Sequence, residues 1–256
     1  MDDLEKTKSH EIYQEDMDSD SEAIDNVLNI TLIVKGAEKR GISPKQFFDL
    51  LKIAEELEED REEWIDKKFE FNGDGTIKAK GDLDLYGCTG LKSLPENLEV
   101  ENLNLENCIS LESLPKSLDV YGNLNLEGCV LLESLGENIS GIENLNLRGC
   151  ISLKSLPGSL DVWKDLDLTN CTSLKSLPED LNVGGNLVLA GCTSLISIPQ
   201  NLKVRKKIVL STDLKKEIRL KALNQLHRNQ ISWIITNSRG FNPDCHGRGN
   251  AYKISI

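Results

Sequence analysis

Long apolar runs are absent from this sequence. The longest candidate, Ile30–Val34, spans five residues, whereas a membrane-spanning helix needs about 20 apolar residues. The basic start that is typical of a secretory signal peptide is also missing from Met1–Glu5. We therefore expect a cytoplasmic protein without a membrane span.

An excess of positive charge is missing as well. The chain has 30 basic and 42 acidic residues, and its net charge of −12 repels phosphate backbones. This balance argues against nucleic acid as a partner. The charge is uneven, because residues 211–256 carry 8 bases and 3 acids. The C-terminal end is therefore expected to be locally basic.

What the sequence does contain is an internal repeat. The motif Leu-x-Leu-x-x-Cys begins at positions 83, 103, 124, 145, 166 and 187, so successive starts differ by 20 or 21 residues. A half-copy begins at Ile208. Each unit follows the pattern LxLxxCxxLxSLPxxLxV. Tandem units of this length predict a solenoid, in which every unit buries its apolar edge against the next one.

The repeats resemble the leucine-rich repeat family, whose pattern is LxxLxLxxN/CxL. The resemblance covers residues 83–210, and the segment Gly191–Leu195 is similar to the cysteine-type repeats of that family. Helices ahead of short Leu-Pro repeats resemble the leucine-rich effectors that bacterial pathogens inject into host cells. The resemblance implies an α/β-type leucine-rich repeat solenoid with a curved parallel sheet. It also implies a host protein of signalling or ubiquitin transfer as the partner.

The pattern of the unit has a physical explanation. In Leu-x-Leu the two leucines point inward from a short strand, and the residue between them points outward. Leu-Pro and the next leucine supply inward anchors and a fixed φ in the return segment. Repeat 3 departs from this pattern, with Gly136 in place of proline and Ile142 in place of valine. Its local curvature is expected to differ.

Six of the seven cysteines occupy one position of the repeat, and metal clusters of the CxxC type are absent. At this position a cysteine fills the interior where the strand bends into its loop. Strands about 4.8 Å apart would allow neighbouring cysteines to form a disulfide. Inward packing and the missing export signal nevertheless favour free thiols. We expect no metal and no other cofactor.

Four segments are predicted along the chain. Residues 1–21 are acidic and lack apolar periodicity, which predicts a disordered tail. Residues 22–80 predict an N-terminal helical and hairpin cap, residues 81–210 the solenoid of six full repeats and a half repeat, and residues 211–256 a C-terminal helix and strand cap.

The N-terminal region contains a clear helix start. Ser43 and Pro44 open a capping-box pattern. The apolar stripe that follows continues through Leu57 to Trp64, which predicts a single helix over this stretch.

The outward residues of the Leu-x-Leu strands are the first candidates for a binding site. They are expected to cover the concave face of the sheet, which is rich in asparagine and becomes basic towards the last repeats. Such a gradient would orient a charged partner. An asparagine ladder that only keeps the sheet soluble is an equally good interpretation. The candidates are Tyr86, Asn104, Glu106, Asn125, Glu127, Asn146, Arg148, Asp167 and Thr169.

Two aromatic residues are further candidates. Tyr121 and Trp163 occupy equivalent positions two repeats apart, where the apolar alternation does not require them in the interior. They are expected on one edge, about 10 Å apart, where aromatic anchors contribute strongly to binding. Packing against neighbouring loops is the alternative, because tryptophan is usually well buried.

The sequence therefore predicts a non-catalytic module that binds a protein partner and is monomeric when free. A thiol enzyme that uses Cys245 and His246 is an alternative, although adjacent residues in a glycine-rich loop lack a third orienting group. A bacterial housekeeping scaffold is another alternative, and it differs from an effector only in its location. An effector would act in the host cytosol.

Overall fold

The structure, a computed structural model, describes residues 29–136, 139, 141–212, 214 and 232–236. The predicted acidic tail of residues 1–21 lies outside the described residues. So do the predicted C-terminal helix, the last predicted strand and the loop with Cys245 and His246.

Three helices precede the first repeat in the described chain. The first covers 29–40 (α1) and ends at Gly41, whose φ is 64°. The second is Pro44–Glu56 (α2), and the Ser43 capping box predicted from the sequence is present at its start. The third is Arg61–Lys68 (α3).

The single helix predicted from Pro44 to Trp64 is wrong, because the structure divides it into α2 and α3. Glu58 has a φ of 55°, which a continuing right-handed helix does not allow. Asp60 then starts α3, and its side chain accepts a hydrogen bond from the Glu63 amide at 3.2 Å. The apolar stripe continues across the break, which explains why the pattern alone did not show it.

Arg40 holds α1 against the two other helices. Its side chain is 2 % exposed and forms ion pairs with Asp66 at 2.7 Å and Glu62 at 3.1 Å. The guanidinium also lies 4.6 Å from the centre of the Phe47 ring. Burial would raise the pKa of Asp66, but hydrogen bonds from Arg40 and Lys39 outweigh it and lower that pKa.

The predicted hairpin is confirmed as the antiparallel pair Phe69–Phe71 (β1) and Ile77–Ala79 (β2). Gln46 of α2 fixes the hairpin to the first repeat. Its side-chain amide donates to the Gly75 carbonyl at 2.7 Å and to the Glu96 carbonyl at 2.8 Å. The same residue completes the capping box, so one buried side chain joins the helix, the hairpin and the solenoid.

The repeats form a parallel β-solenoid of about six turns. Each repeat contributes one strand to a large sheet, and Leu83, Leu103, Leu124, Leu145, Leu166, Leu187 and Ile208 stand in register. The register confirms the repeat alignment. In the described chain this sheet has eight strands: Leu83–Asp84 (β3), Leu103–Asn104 (β5), Asn123–Asn125 (β7), Asn144–Asn146 (β8), Leu166–Asp167 (β10), Leu187–Leu189 (β12), Lys207–Ser211 (β14) and Ser232–Thr236 (β15).

In the described chain, a second row of short parallel strands lies just before the strands of the first row, with one strand at the end of every repeat except repeat 3. Sequence reasoning treated this part only as a return segment. The strands alternate between inward and outward residues as the first row does. They are Leu98–Val100 (β4), Leu118–Val120 (β6), Asp161–Val162 (β9), Asn182–Val183 (β11) and Lys203–Val204 (β13).

The second row is interrupted at repeat 3, the one with the unusual sequence. β2, β4 and β6 belong to one sheet and β9, β11 and β13 to another. Between them, Ile142 forms only an isolated bridge with Val162. Gly136 replaces the proline of the other repeats and has a φ of 81°, a conformation that proline cannot adopt.

The inward residues of all turns form one continuous hydrophobic core. Both leucines of Leu-x-Leu are buried in every repeat, as are the six repeat cysteines. Apolar residues of α1, α2 and α3 belong to the same core. Full burial of each leucine contributes about 1.5–3 kcal/mol.

The core predicts a clear contrast between two leucines. Leu147 is fully buried and Leu131 is 49 % exposed. We expect Leu147→Ala to lower the free energy of unfolding by about 2–5 kcal/mol, and Leu131→Ala by about 0.5 kcal/mol or less. Urea unfolding followed by circular dichroism measures both. Equal losses in the two variants would contradict the assignment of the interior.

Candidate functional site

In the first five repeats, an outward asparagine or aspartate between the two leucines ends the strand of the large sheet. Its side-chain oxygen accepts a hydrogen bond from the backbone amide two residues further on, at 2.8–3.2 Å. Asparagine and aspartate favour such turns because their side chains reach this amide. The five acceptors are Asp84, Asn104, Asn125, Asn146 and Asp167.

A second ladder runs through the residue that precedes each Leu-x-Leu. Asn123 donates to Asn102 at 2.8 Å, and Asn144 donates to Asn123 at 2.6 Å. Every link joins one turn to the next, at 2.6–3.1 Å between the nearest polar atoms. The complete ladder is Asp82, Asn102, Asn123, Asn144, Asp165 and Asn186.

These ladders account for most polar groups of the predicted concave site. Asn104, Asn125, Asn146 and Asp167 are partly buried and bonded to neighbours. Thr169 is buried, and its hydroxyl donates to Asp167. The structure therefore brings the predicted residues together. Their polar groups, however, are hydrogen-bonded to one another and are not free for a partner.

The outermost predicted residues also interact along the stack. Asn125 donates to Glu106 at 3.0 Å, and Asn146 donates to Glu127 at 3.1 Å. Arg148 lies 3.4 Å from Glu127, with about a third of each side chain exposed. Of the predicted residues on this face, only Tyr86 in the first turn is largely exposed, at 58 %.

The ladder predicts an effect of charge at Asn125. Its amide nitrogen donates to Asn104 at 3.1 Å and to Glu106, while its oxygen accepts from the Glu127 amide. Asn125→Asp keeps the acceptor, loses both donors and places a carboxylate beside Glu106. We expect a loss of about 1–3 kcal/mol in the free energy of unfolding at pH 7.

Protonation should relieve this loss. Repulsion from Glu106 would raise the pKa of the new carboxyl group in the folded state, so the penalty is present at neutral pH and declines as pH falls. Urea unfolding of variant and wild type, compared at each pH from 7 down to about 4, measures it. Asn201→Asp, at an exposed position, is the control. A loss of stability in Asn125→Asp that does not change with pH would contradict the predicted repulsion between residue 125 and Glu106.

The edge between the two rows of strands carries exposed aromatic residues. Tyr121 and Trp163 each follow the last inward residue of the second row, and they are 57 % and 61 % exposed. Their amides donate to Val100 at 3.1 Å and to Ile142 at 2.9 Å, so both occupy the same corner of the turn. We call this column of corner positions the corner edge.

Tyr121 lines a groove of about 640 Å³. Its lining includes the carboxylates of Glu70, Glu99 and Glu101, together with Lys78. Partial burial raises the pKa of Tyr121, and the charges of Glu99 and Asp119 raise it further. The groove is therefore polar and predominantly acidic around one aromatic ring.

The repeat cysteines form a column inside the solenoid, and they are free thiols, as the sequence predicted. From Cys108 onward, each thiol donates to the carbonyl of the second leucine in the preceding turn, at 3.1–3.2 Å. Burial raises the pKa of Cys129 and of Cys150 to about 12. Such thiols are poor nucleophiles at neutral pH, and the predicted alternative at Cys245 lies outside the described residues.

The raised thiol pKa values predict a dependence of stability on pH. Burial raises the pKa of Cys129 and Cys150 to about 12, so both stay protonated in the folded state at pH values where unfolded thiols, with a pKa near 9, release their protons. The folded state is therefore favoured below pH 9, and each thiol should cost about 1.4 kcal/mol per pH unit above it. Urea unfolding between pH 8 and pH 10.5 under reducing conditions measures the slope.

A variant with Cys129→Ala and Cys150→Ala is the matched control for this slope. It should lose stability less steeply with rising pH, by about 2.8 kcal/mol per pH unit for the two thiols together. An unchanged slope would show that other groups, such as lysines and tyrosines, cause the decline.

Sequence reasoning missed two regular features of the turn. The residue before each cysteine has a positive φ, and it is Gly or Asn in all six repeats: Gly87, Asn107, Gly128, Gly149, Asn170 and Gly191. The recurrence of Gly or Asn at this position indicates a left-handed turn, because these residues tolerate the left-handed conformation best.

The other missed feature is a set of exposed apolar residues just after the cysteines. Ile109, Leu131 and Ile151 are 44–49 % exposed and lie in three consecutive repeats. Ile109 and Ile151 directly follow their cysteines, where the other repeats have Thr or Val, and Leu131 lies one residue later, where the other repeats have Ser or Gly. The signal was therefore present in the sequence.

Comparison with known proteins gives no family for this chain. No family model, curated protein or solved structure matches it. Within the described residues, no group of His, Cys, Asp and Glu side chains has the arrangement of a metal site. None of the helices in that part of the chain has the length and hydropathy of a bilayer-spanning segment.

Proposed function

We propose that this protein is a non-catalytic module that binds a protein partner through the corner edge, with Tyr121 and Trp163 as anchors. The observation that carries the proposal is the exposure of these two rings, at 57 % and 61 %. Neither ring is needed to fill the core, because the inward positions beside them are already occupied by Val120 and Val162.

The corner edge is a better candidate for the binding surface than the face of the large sheet, because the polar groups of that face are already hydrogen-bonded. Side chains of that face are bonded to one another along the stack. A partner would have to replace those bonds, and an exchange of hydrogen bonds yields little net free energy. Large aromatic side chains, in contrast, contribute about 2 kcal/mol or more when a partner buries them. Glu106, Glu127 and Arg148 follow the strands of that face, where they interact with one another or with neighbouring asparagines.

The resemblance to leucine-rich repeats supplies the finer part of the proposal. A solenoid of this type would be closed by a cap at each end and would leave its sides free for recognition. The likeness to bacterial effectors adds a host protein of signalling or ubiquitin transfer as the partner. A housekeeping scaffold would have the same surface in another location, and a translocation reporter fused to the chain distinguishes the two.

The corner edge can be tested by comparative capture. Wild-type protein, Tyr121→Ala/Trp163→Ala and Tyr86→Ala/Ile196→Ala are immobilised, and the bound proteins are compared by quantitative mass spectrometry. The control pair removes residues of similar exposure, 58 % and 65 %, outside the corner edge. We expect a partner set that the control retains and the corner variant loses by about tenfold or more. Equal recovery by both variants would contradict the proposal.

A further inference from the structure

The corner edge contains a gap in its row of side chains. Trp163, Gly184 and Arg205 occupy the same position in three consecutive turns, because their amides donate to Ile142, Val162 and Val183 at 2.8–3.0 Å. Neighbouring turns are about 4.8 Å apart, so Trp163 and Arg205 stand about 10 Å apart with no side chain between them.

The backbone makes glycine necessary in the middle turn. A Cβ atom at Gly184 would lie 2.0 Å from the Trp163 carbonyl oxygen, and one at Gly185 would lie 2.0 Å from an Asp165 carboxylate oxygen. Both contacts are far below van der Waals distance. The gap between the positions of Trp163 and Arg205 is therefore fixed, with glycine backbone as its floor, and we call it the slot.

The slot lies in the most basic part of the described chain. Lys203, Arg205, Lys206 and Lys207 are all exposed, and none forms an ion pair with another described residue. Two acids of the neighbouring turns are engaged, since Asp161 accepts from Asn182 and Asp165 accepts from Asn186.

We propose that the slot between Trp163 and Arg205 binds an extended acidic segment of the protein partner. One glutamate or aspartate of that segment enters the slot, so that its carbon chain packs on the indole and its carboxylate pairs with Arg205. Lys203, Lys206 and Lys207 bind the neighbouring acids. This inference deepens the proposed function and rests on it.

The charges around the slot favour a protein segment over a nucleic acid. An aromatic ring beside basic residues also suits single-stranded nucleic acid, but a phosphate backbone needs a long basic track. Here the basic surface covers only the last turns, and the edge becomes acidic at Glu143, Glu101 and Glu99 in the earlier ones. A short acidic segment fits the basic part without meeting these carboxylates.

The probe for this proposal is a fluorescein-labelled peptide of twelve glutamates, with fluorescence anisotropy as the readout. The variants are Trp163→Ala and Arg205→Glu. Lys175→Glu is the control for Arg205→Glu, because Lys175 is also exposed and its substitution changes the net charge by the same amount. We expect affinity to fall at least tenfold, or about 1.4 kcal/mol, in both slot variants. The control should change it less than threefold. Thermal unfolding confirms that each variant is folded.

Tryptophan emission gives a second readout. Peptide binding should change the emission of the wild type, and this change should be lost in Trp163→Phe. Equal weakening by Lys175→Glu and Arg205→Glu would overturn the proposal, because binding would then depend only on net charge. Tighter, Trp163-dependent binding of a labelled dodecathymidylate would overturn it in favour of nucleic acid.

The outcome is independent of the capture experiment. If captured proteins depend on Trp163 but the acidic peptide does not bind, the corner edge remains the binding surface and only the acidic chemistry of its partner is wrong. If the peptide binds in the slot but no protein is captured through the corner edge, the proposed function is the part that fails.

Discussion

The structure depends on the register of equivalent groups in neighbouring turns. Leu124 stands opposite Leu145, Cys150 donates to a carbonyl of the preceding turn, and Asn144 donates to Asn123. Each turn therefore supplies the hydrogen-bonding and packing partners of the next one. A displacement of one residue would break the core, the thiol column and both ladders at once, which explains why the repeat length is held to 20 or 21 residues.

In both ladders the asparagine side chains of one turn donate to side chains of the preceding turn, and this explains why the first residue of each ladder is an acid. Asp82 and Asp84 belong to the first turn and accept bonds from Asn102 and Asn104. An ionised carboxylate can only accept, so it suits a first position that has no earlier repeat to which it could donate. Asparagine carries both a donor and acceptors, and it occupies most interior positions of the ladder. At the interior Asp165, the backbone amide donates to Asn144 instead of the side chain. The acidity of the early turns is thus partly a consequence of how a ladder begins.

Much of this could be predicted from the sequence, because features that repeat are visible in the period itself. The buried leucines, the inward cysteines and the hairpin follow from alternation and turn residues. Features that depend on backbone geometry between repeats could not be predicted. The break after Glu58 lies within a continuous apolar stripe. The second row is the Leu-x-Val that ends nearly every unit, but its pairing between turns could not be predicted from two or three residues per strand. The slot beside Trp163 exists only because three turns align.

The same constraint explains where binding can be located. Inward positions are fixed by the core, and the outward positions of the large sheet are fixed by hydrogen bonds between turns. At the corner edge, Tyr121 lies two turns before Trp163, and the next two turns after Trp163 carry Gly184 and Arg205. The amide of each donates to the carbonyl of the last inward residue in the preceding turn, although their side chains differ. Substitution at Tyr121, Trp163 or Arg205 therefore costs the stack little. A surface that the stack does not require is one on which side chains can be selected for a partner.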